Sequence, residues 1–104
     1  TEETMAAPKS FLEILKDNDP EYHALVQELW DKTQAPGSLD AKTRSLMVIL
    51  IDAMKGQKEA VKAVADRARS QGATDGEIRE TVRLAFMAAG VSGLSAGVCA
   101  FPEE

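Results

Sequence analysis

The chain has 104 residues, with 17 acidic and 12 basic side chains, a net charge of -5 and 44% hydrophobic residues. That length supports one domain with one core, burying roughly two thirds of the surface of the unfolded chain. The acidic balance argues against nucleic acid and against an anionic membrane surface as partner, because both need clustered Lys and Arg.

The N-terminal TEETMAAPKS is acidic and polar. It has no basic start followed by an apolar segment, so it does not read as a secretory signal; residues 1–9 are predicted to be a flexible tail before a domain over 10–104. Ser10-x-x-Glu13 is a capping box and predicts a short helix over about 11–17. Asp19-Pro20 is a cap with proline at the first helical position. Tyr22, Leu25, Val26, Leu29 and Trp30 follow at i, i+3, i+4, i+7 and i+8, one apolar stripe along a second helix. Ala35-Pro36-Gly37-Ser38 ends it.

A third helix is predicted over about 40–55. Its segment LMVILI is apolar all round, which predicts a central buried helix. Val48, Ile49 and Ile51 also suit a strand, but no second strand candidate exists to pair with it. LMVILI is also the longest strongly apolar run, and a bilayer span needs about 20 such residues, so no membrane crossing is expected. Gly56 breaks this helix. A fourth helix over about 57–71 would bury Val61, Val64, Ala65 and Ala68, with Gly72 as its C-terminal cap. Thr74-x-x-Glu77 is a second capping box, opening a fifth helix with Ile78, Val82, Ala85, Phe86 and Ala89 on one face. In the last segment, GVSGLSAGVCAF, small residues dominate and Val91, Leu94, Val98 and Phe101 are the expected apolar anchors. Gly93-x-x-x-Gly97 suggests a close helix crossing.

Few residues could carry chemistry. Cys99 and His23 are the sole members of their types. One Cys and one His cannot assemble a zinc site, and no Asp/Glu pair has a distinctive metal-binding spacing, so neither metal nor cofactor is expected. Cys99 reads as a small packed hydrophobe. His23 lies outside the apolar stripe and reads as solvated or interfacial. A lone cysteine cannot form an intrachain disulfide, in keeping with a cytoplasmic setting. Asp52 follows the apolar run directly; buried, it would need a partner, and otherwise the helix surfaces there near its end. Glu59, Lys62 and Asp66 read as a solvated helix face.

The order Leu39-Asp40-x-Lys42-Thr43-Arg44, apolar helix, Gly72-Ala73-Thr74-x-x-Glu77-Ile78-x-Glu80 resembles the carboxymuconolactone decarboxylase and alkylhydroperoxidase D-like superfamily. The resemblance covers residues 39–90 and extends more loosely beyond. It implies an all-α bundle of about six helices that associates as trimers or hexamers. The peroxidase branch carries a CxxCxxxH motif and a relay glutamate upstream. Counting back from Gly72, the cysteine positions fall on Gln57 and Ala60, the histidine on Val64 and the glutamate on Ser45. The decarboxylase-like branch keeps a glutamate and a histidine where this chain has Ala60 and Val64. Glu59 is one residue off, about 100° away around a helix.

Every departure falls on the chemistry, while the scaffold motifs persist. The expectation is a catalytically degenerate scaffold, a homo-oligomer binding a small apolar ligand or a protein partner. The competing expectation is a peroxidase-like or decarboxylase-like enzyme with relocated residues such as Cys99 or Asp52. A third is a plain assembly module.

Overall fold

The computed structural model describes residues 10–102, so the tail expected over 1–9 lies outside the described residues. It is an all-α domain whose chain gathers into two compact units, one ending at Ala35 and the other starting at Pro36. No strand occurs among the described residues.

The first unit is a helical hairpin. Helix α1 spans Phe11–Asn18 and opens on the expected capping box: Glu13 N–H donates to Ser10 Oγ at 3.3 Å, and Ser10 N–H to the Glu13 carboxylate at 3.0 Å. Helix α2 spans Pro20–Gln34, capped by the Asp19 carboxylate, which accepts from Tyr22 N–H. Neither helix has a buried residue. Tyr22, Leu25, Leu29 and Trp30 of the predicted stripe are all exposed.

The second unit holds the core. Helix α3 spans Ala41–Met54 and starts at Asp40, whose carboxylate accepts from Thr43 N–H at 2.7 Å. Helix α4 spans Lys58–Ser70, and helix α5 spans Asp75–Gly97. A 3-10 turn, Val98–Ala100, follows. Helix α3 packs against both α4 and α5.

The prediction of a wholly buried α3 needs correction. Ser45, Ile49 and Ala53, at i, i+4 and i+8, are buried, but Met47, Ile51 and Met54 are 47%, 52% and 45% exposed. Two neighbours cover only part of a helix's circumference, so an apolar sequence all round leaves one side uncovered within the chain. Helix α4 buries the four predicted residues, Val61, Val64, Ala65 and Ala68. It ends at Gly72, whose φ of +99° permits the reversal in which Ala73 N–H donates to Ala68 C=O and Gly72 N–H to Arg69 C=O.

Helix α5 opens on the second capping box, Thr74 with Glu77. Glu77 also reaches the Lys42 ammonium at 2.9 Å, tying the start of α5 to the start of α3. The Thr74 amide first, and then Lys42, hold the Glu77 carboxyl below the usual carboxylate range. The same bond raises Lys42. The buried face of α5 is Ile78, Thr81, Val82 and Ala85, while Phe86 is half-exposed.

Gly90 interrupts α5 with φ +66° and ψ -149°, a backbone conformation essentially confined to glycine. The break separates limbs 75–89 and 91–97, which makes six α-helical segments among the described residues, in keeping with the expected bundle of about six. Beyond it the expected anchoring is reversed. The small residues Gly93, Ala96, Gly97 and Ala100 are buried, while Val91, Leu94, Val98 and Phe101 are exposed. A Cβ on Gly93 would lie 2.4 Å from Ala85 C=O, and one on Gly97 would lie 3.2 Å from Val82 Cγ1. The Gly-x-x-x-Gly spacing therefore serves a close approach within one chain. The stretch Asp75–Ala100 is long and apolar enough, by length and composition, to cross a bilayer. Its inner face nevertheless belongs to the core, and the backbone kinks midway at Gly90.

Candidate functional site

The four family positions lie on α3 and α4. Ser45 sits on the buried stripe of α3, and its hydroxyl donates to Gln71 Oε1 at 2.5 Å, just past the end of α4. Gln57 is exposed at the N-terminal cap of α4, where its side chain makes no capping hydrogen bond. Its N–H closes the turn by donating to Asp52 C=O at 2.9 Å. Ala60 is half-buried, and Val64 is packed into the core with Ile49, Val61 and Ile78.

Two of these side chains are hydrocarbon, one is an amide and one is a hydroxyl. A hydroxyl donating to an amide oxygen holds a position, but neither group changes protonation near neutral pH. Thiolate chemistry needs a thiolate, and none of these positions can supply one. Gln71 is the site residue that sequence reasoning missed. Ser45 is separated from it by 26 positions. The signal available was the i, i+4, i+8 spacing of Ser45 with Ile49 and Ala53, which places a polar group on a buried face in need of a partner.

The other candidates are dispersed. His23 is half-buried in the helical hairpin, beside a shallow cavity of about 610 Å³ that Lys16, Glu28 and Asp31 also line. Cys99 lies in the second unit, so the fold does not pair it with His23 inside either unit. Cys99 packs partly against the core and borders an open cavity of about 410 Å³ with Lys58, Lys62, Val98 and Phe101. Glu59 lines the same cavity from the exposed side of α4. Asp52 is half-buried near the end of α3. Asp66 pairs loosely with Arg69 at 3.9 Å. Among the described residues, no group of three or more His, Cys, Asp or Glu side chains could hold a metal ion.

Arg69 has a structural task. Its Nη2 donates to Ala100 C=O at 2.8 Å, and its Nε lies 3.5 Å from Asp75. It pins the C-terminal turn to α4 and to the start of α5.

The chain is 29% identical over 84 residues to uncharacterized protein MJ1511 of Methanocaldococcus jannaschii, covering 81% of this chain and 78% of that protein. No solved structure matches it. The carboxymuconolactone decarboxylase family matches residues 20–101, which takes in α2 to α5 and the 3-10 turn, and the chain belongs to that family.

Proposed function

We propose that this protein is a soluble, cytoplasmic member of the family that has lost the family's chemistry and serves as a homo-oligomeric binding scaffold for a small apolar molecule or a protein partner. The observation that carries this reading is the content of the four family positions. Ser45 is engaged by Gln71, Val64 is core, Ala60 is hydrocarbon and Gln57 is an exposed amide. Half-buried Ala60 near exposed Gln57 suits apolar contact with one polar contact, the usual make-up of a small-molecule site. The exposed apolar side chains on α2, α3 and α5 suit association with further copies. Native mass spectrometry of the purified protein tests the reading. A trimer or hexamer with additional bound mass is the expected result. A bare monomer would overturn it.

One observation favours the competing enzyme reading. Cys99 is a half-buried free thiol that borders an open cavity. Peroxide consumption by the wild type, abolished in Cys99→Ser, would establish that reading. Consumption no faster than that of a free thiol would remove its thiol form.

A further inference from the structure

Three features of the helical hairpin bear on what covers it. It is small, and no residue of α1 or α2 is buried. Helices of 8 and 15 residues are marginal in water unless an apolar face is packed. Its apolar stripe on α2, Tyr22, Leu25 and Leu29, runs about 10 Å at 1.5 Å per residue. The exposed stripe on α3, Met47, Ile51 and Met54, has the same sequence span and therefore the same length.

Charge divides the chain in a matching way. Residues 10–35 carry six acidic and two basic side chains, whereas residues 36–102 carry seven acidic and nine basic. Glu21, Glu28 and Lys32 flank the α2 stripe, and Asp52 and Lys55 lie beside the α3 stripe. Between the two units runs Ala35-Pro36-Gly37-Ser38-Leu39-Asp40, exposed at every position and outside any helix. Such a segment can carry a hairpin away from its own body, and exchanging an identical element between two copies is a low-cost route to a closed dimer.

We propose that the α1–α2 hairpin docks on a second copy of this chain, laying Tyr22, Leu25 and Leu29 across Met47, Ile51 and Met54 of that copy. The arrangement is reciprocal, so one two-fold contact covers both hairpins, and three such pairs build a hexamer rather than a trimer. The opposite net charge of the two units, -4 over residues 10–35 and +2 over residues 36–102, steers the encounter. The proposal rests on the homo-oligomer reading above and names the surface through which two copies meet.

Cross-linking tests it. Two full-length chains of different tag length are co-expressed in a Cys99→Ser background. One carries Leu29→Cys, and the other carries Met47→Cys, Ile51→Cys or Met54→Cys in turn, so that register is scanned. A companion chain carries both cysteines. Far-UV circular dichroism matching the wild type establishes that each variant is folded, and light scattering of the wild type gives its mass. The expected result is an oligomeric mass with a disulfide-linked pair of unequal chains as the main product for at least one register. A second variant, Leu29→Glu, should halve the mass while keeping its helix content. An oligomeric mass with no cross-link between unequal chains, or with only the intrachain bond in the companion, would overturn the exchange and leave the assembly reading standing. A monomeric wild type would overturn both.

Discussion

Gly93→Ala probes the break in α5 most directly. In an unbroken exposed helix, alanine is better than glycine by about 1 kcal/mol, so substitution would stabilise. Here the added Cβ would stand 2.4 Å from Ala85 C=O and 2.9 Å from Ala89 Cβ. The first of these is backbone and cannot turn aside by changing rotamer. Overpacking of this kind typically costs about 1–3 kcal/mol, and the backbone partner places Gly93 at or above the upper end. After the helix-propensity gain, a net loss of roughly 2 kcal/mol is expected. Gly90→Ala meets nothing within 4 Å, but it would force a side chain to adopt φ +66° and ψ -149°, at a cost of about 1–3 kcal/mol. Gly97→Ala is the graded control. Its nearest neighbour is Val82 Cγ1 at 3.2 Å, a side-chain atom that can yield, and a change of about 1 kcal/mol or less is expected. Urea unfolding followed by circular dichroism, at one fixed chain concentration, reads these differences. With a slope of about 1–2 kcal/mol/M for so small a protein, Gly93→Ala should lower the midpoint by about 1–2 M. A straight helix running through 75–100 predicts the opposite sign at both Gly90 and Gly93. Stabilisation by alanine at these two positions would therefore refute the break and the close approach built on it.

Other substitutions test separate parts of the fold. Ile49→Ala removes a fully buried side chain from the α3 face and should cost about 2–5 kcal/mol in the same assay; a loss below about 1 kcal/mol would mean that face is not core. Arg69→Ala should release the C-terminal turn, cost about 1–3 kcal/mol and speed hydrogen exchange at Phe101 N–H, which is bonded to Val98 C=O; unchanged exchange there would show that Arg69 does not hold the turn. Glu77 and Asp40 have carboxyls held below their ordinary range, chiefly by the amides of Thr74 and Thr43. Their contribution is fully present above the unfolded value of about 4 and is lost as pH falls through the lower folded values. Glu77→Gln should therefore destabilise at neutral pH, with the gap from wild type closing in acid; a gap that stayed constant down to strongly acidic pH would refute this linkage. Ser45→Ala should cost about 1 kcal/mol, and a much larger loss would show that its bond to Gln71 does more than satisfy one hydroxyl.

Local signals in this chain were strong enough to be read without a structure. Ser10 with Glu13, Asp19 before Pro20, Thr74 with Glu77 and Gly72 mark helix ends by bonds made within a few residues, so they hold whatever the rest of the chain does. The 3.6-residue spacing of Val61, Val64, Ala65 and Ala68 likewise marked the inner face of α4, because its other face is plainly polar. Local order failed where a segment was apolar on every side. LMVILI contains no statement of which face is covered, and the packing of α4 and α5 alone selects Ser45, Ile49 and Ala53. In GVSGLSAGVCAF the large residues looked like anchors, yet the turn at Gly90 sets limb 91–97 against Ala85 and Val82 so closely that only glycine and alanine fit between. The family positions Ser45, Gln57, Ala60 and Val64 could be located from motif order. Their meaning came from tertiary structure, because a partner 26 residues away decides whether a buried hydroxyl is unpaired or, as here, bonded to Gln71.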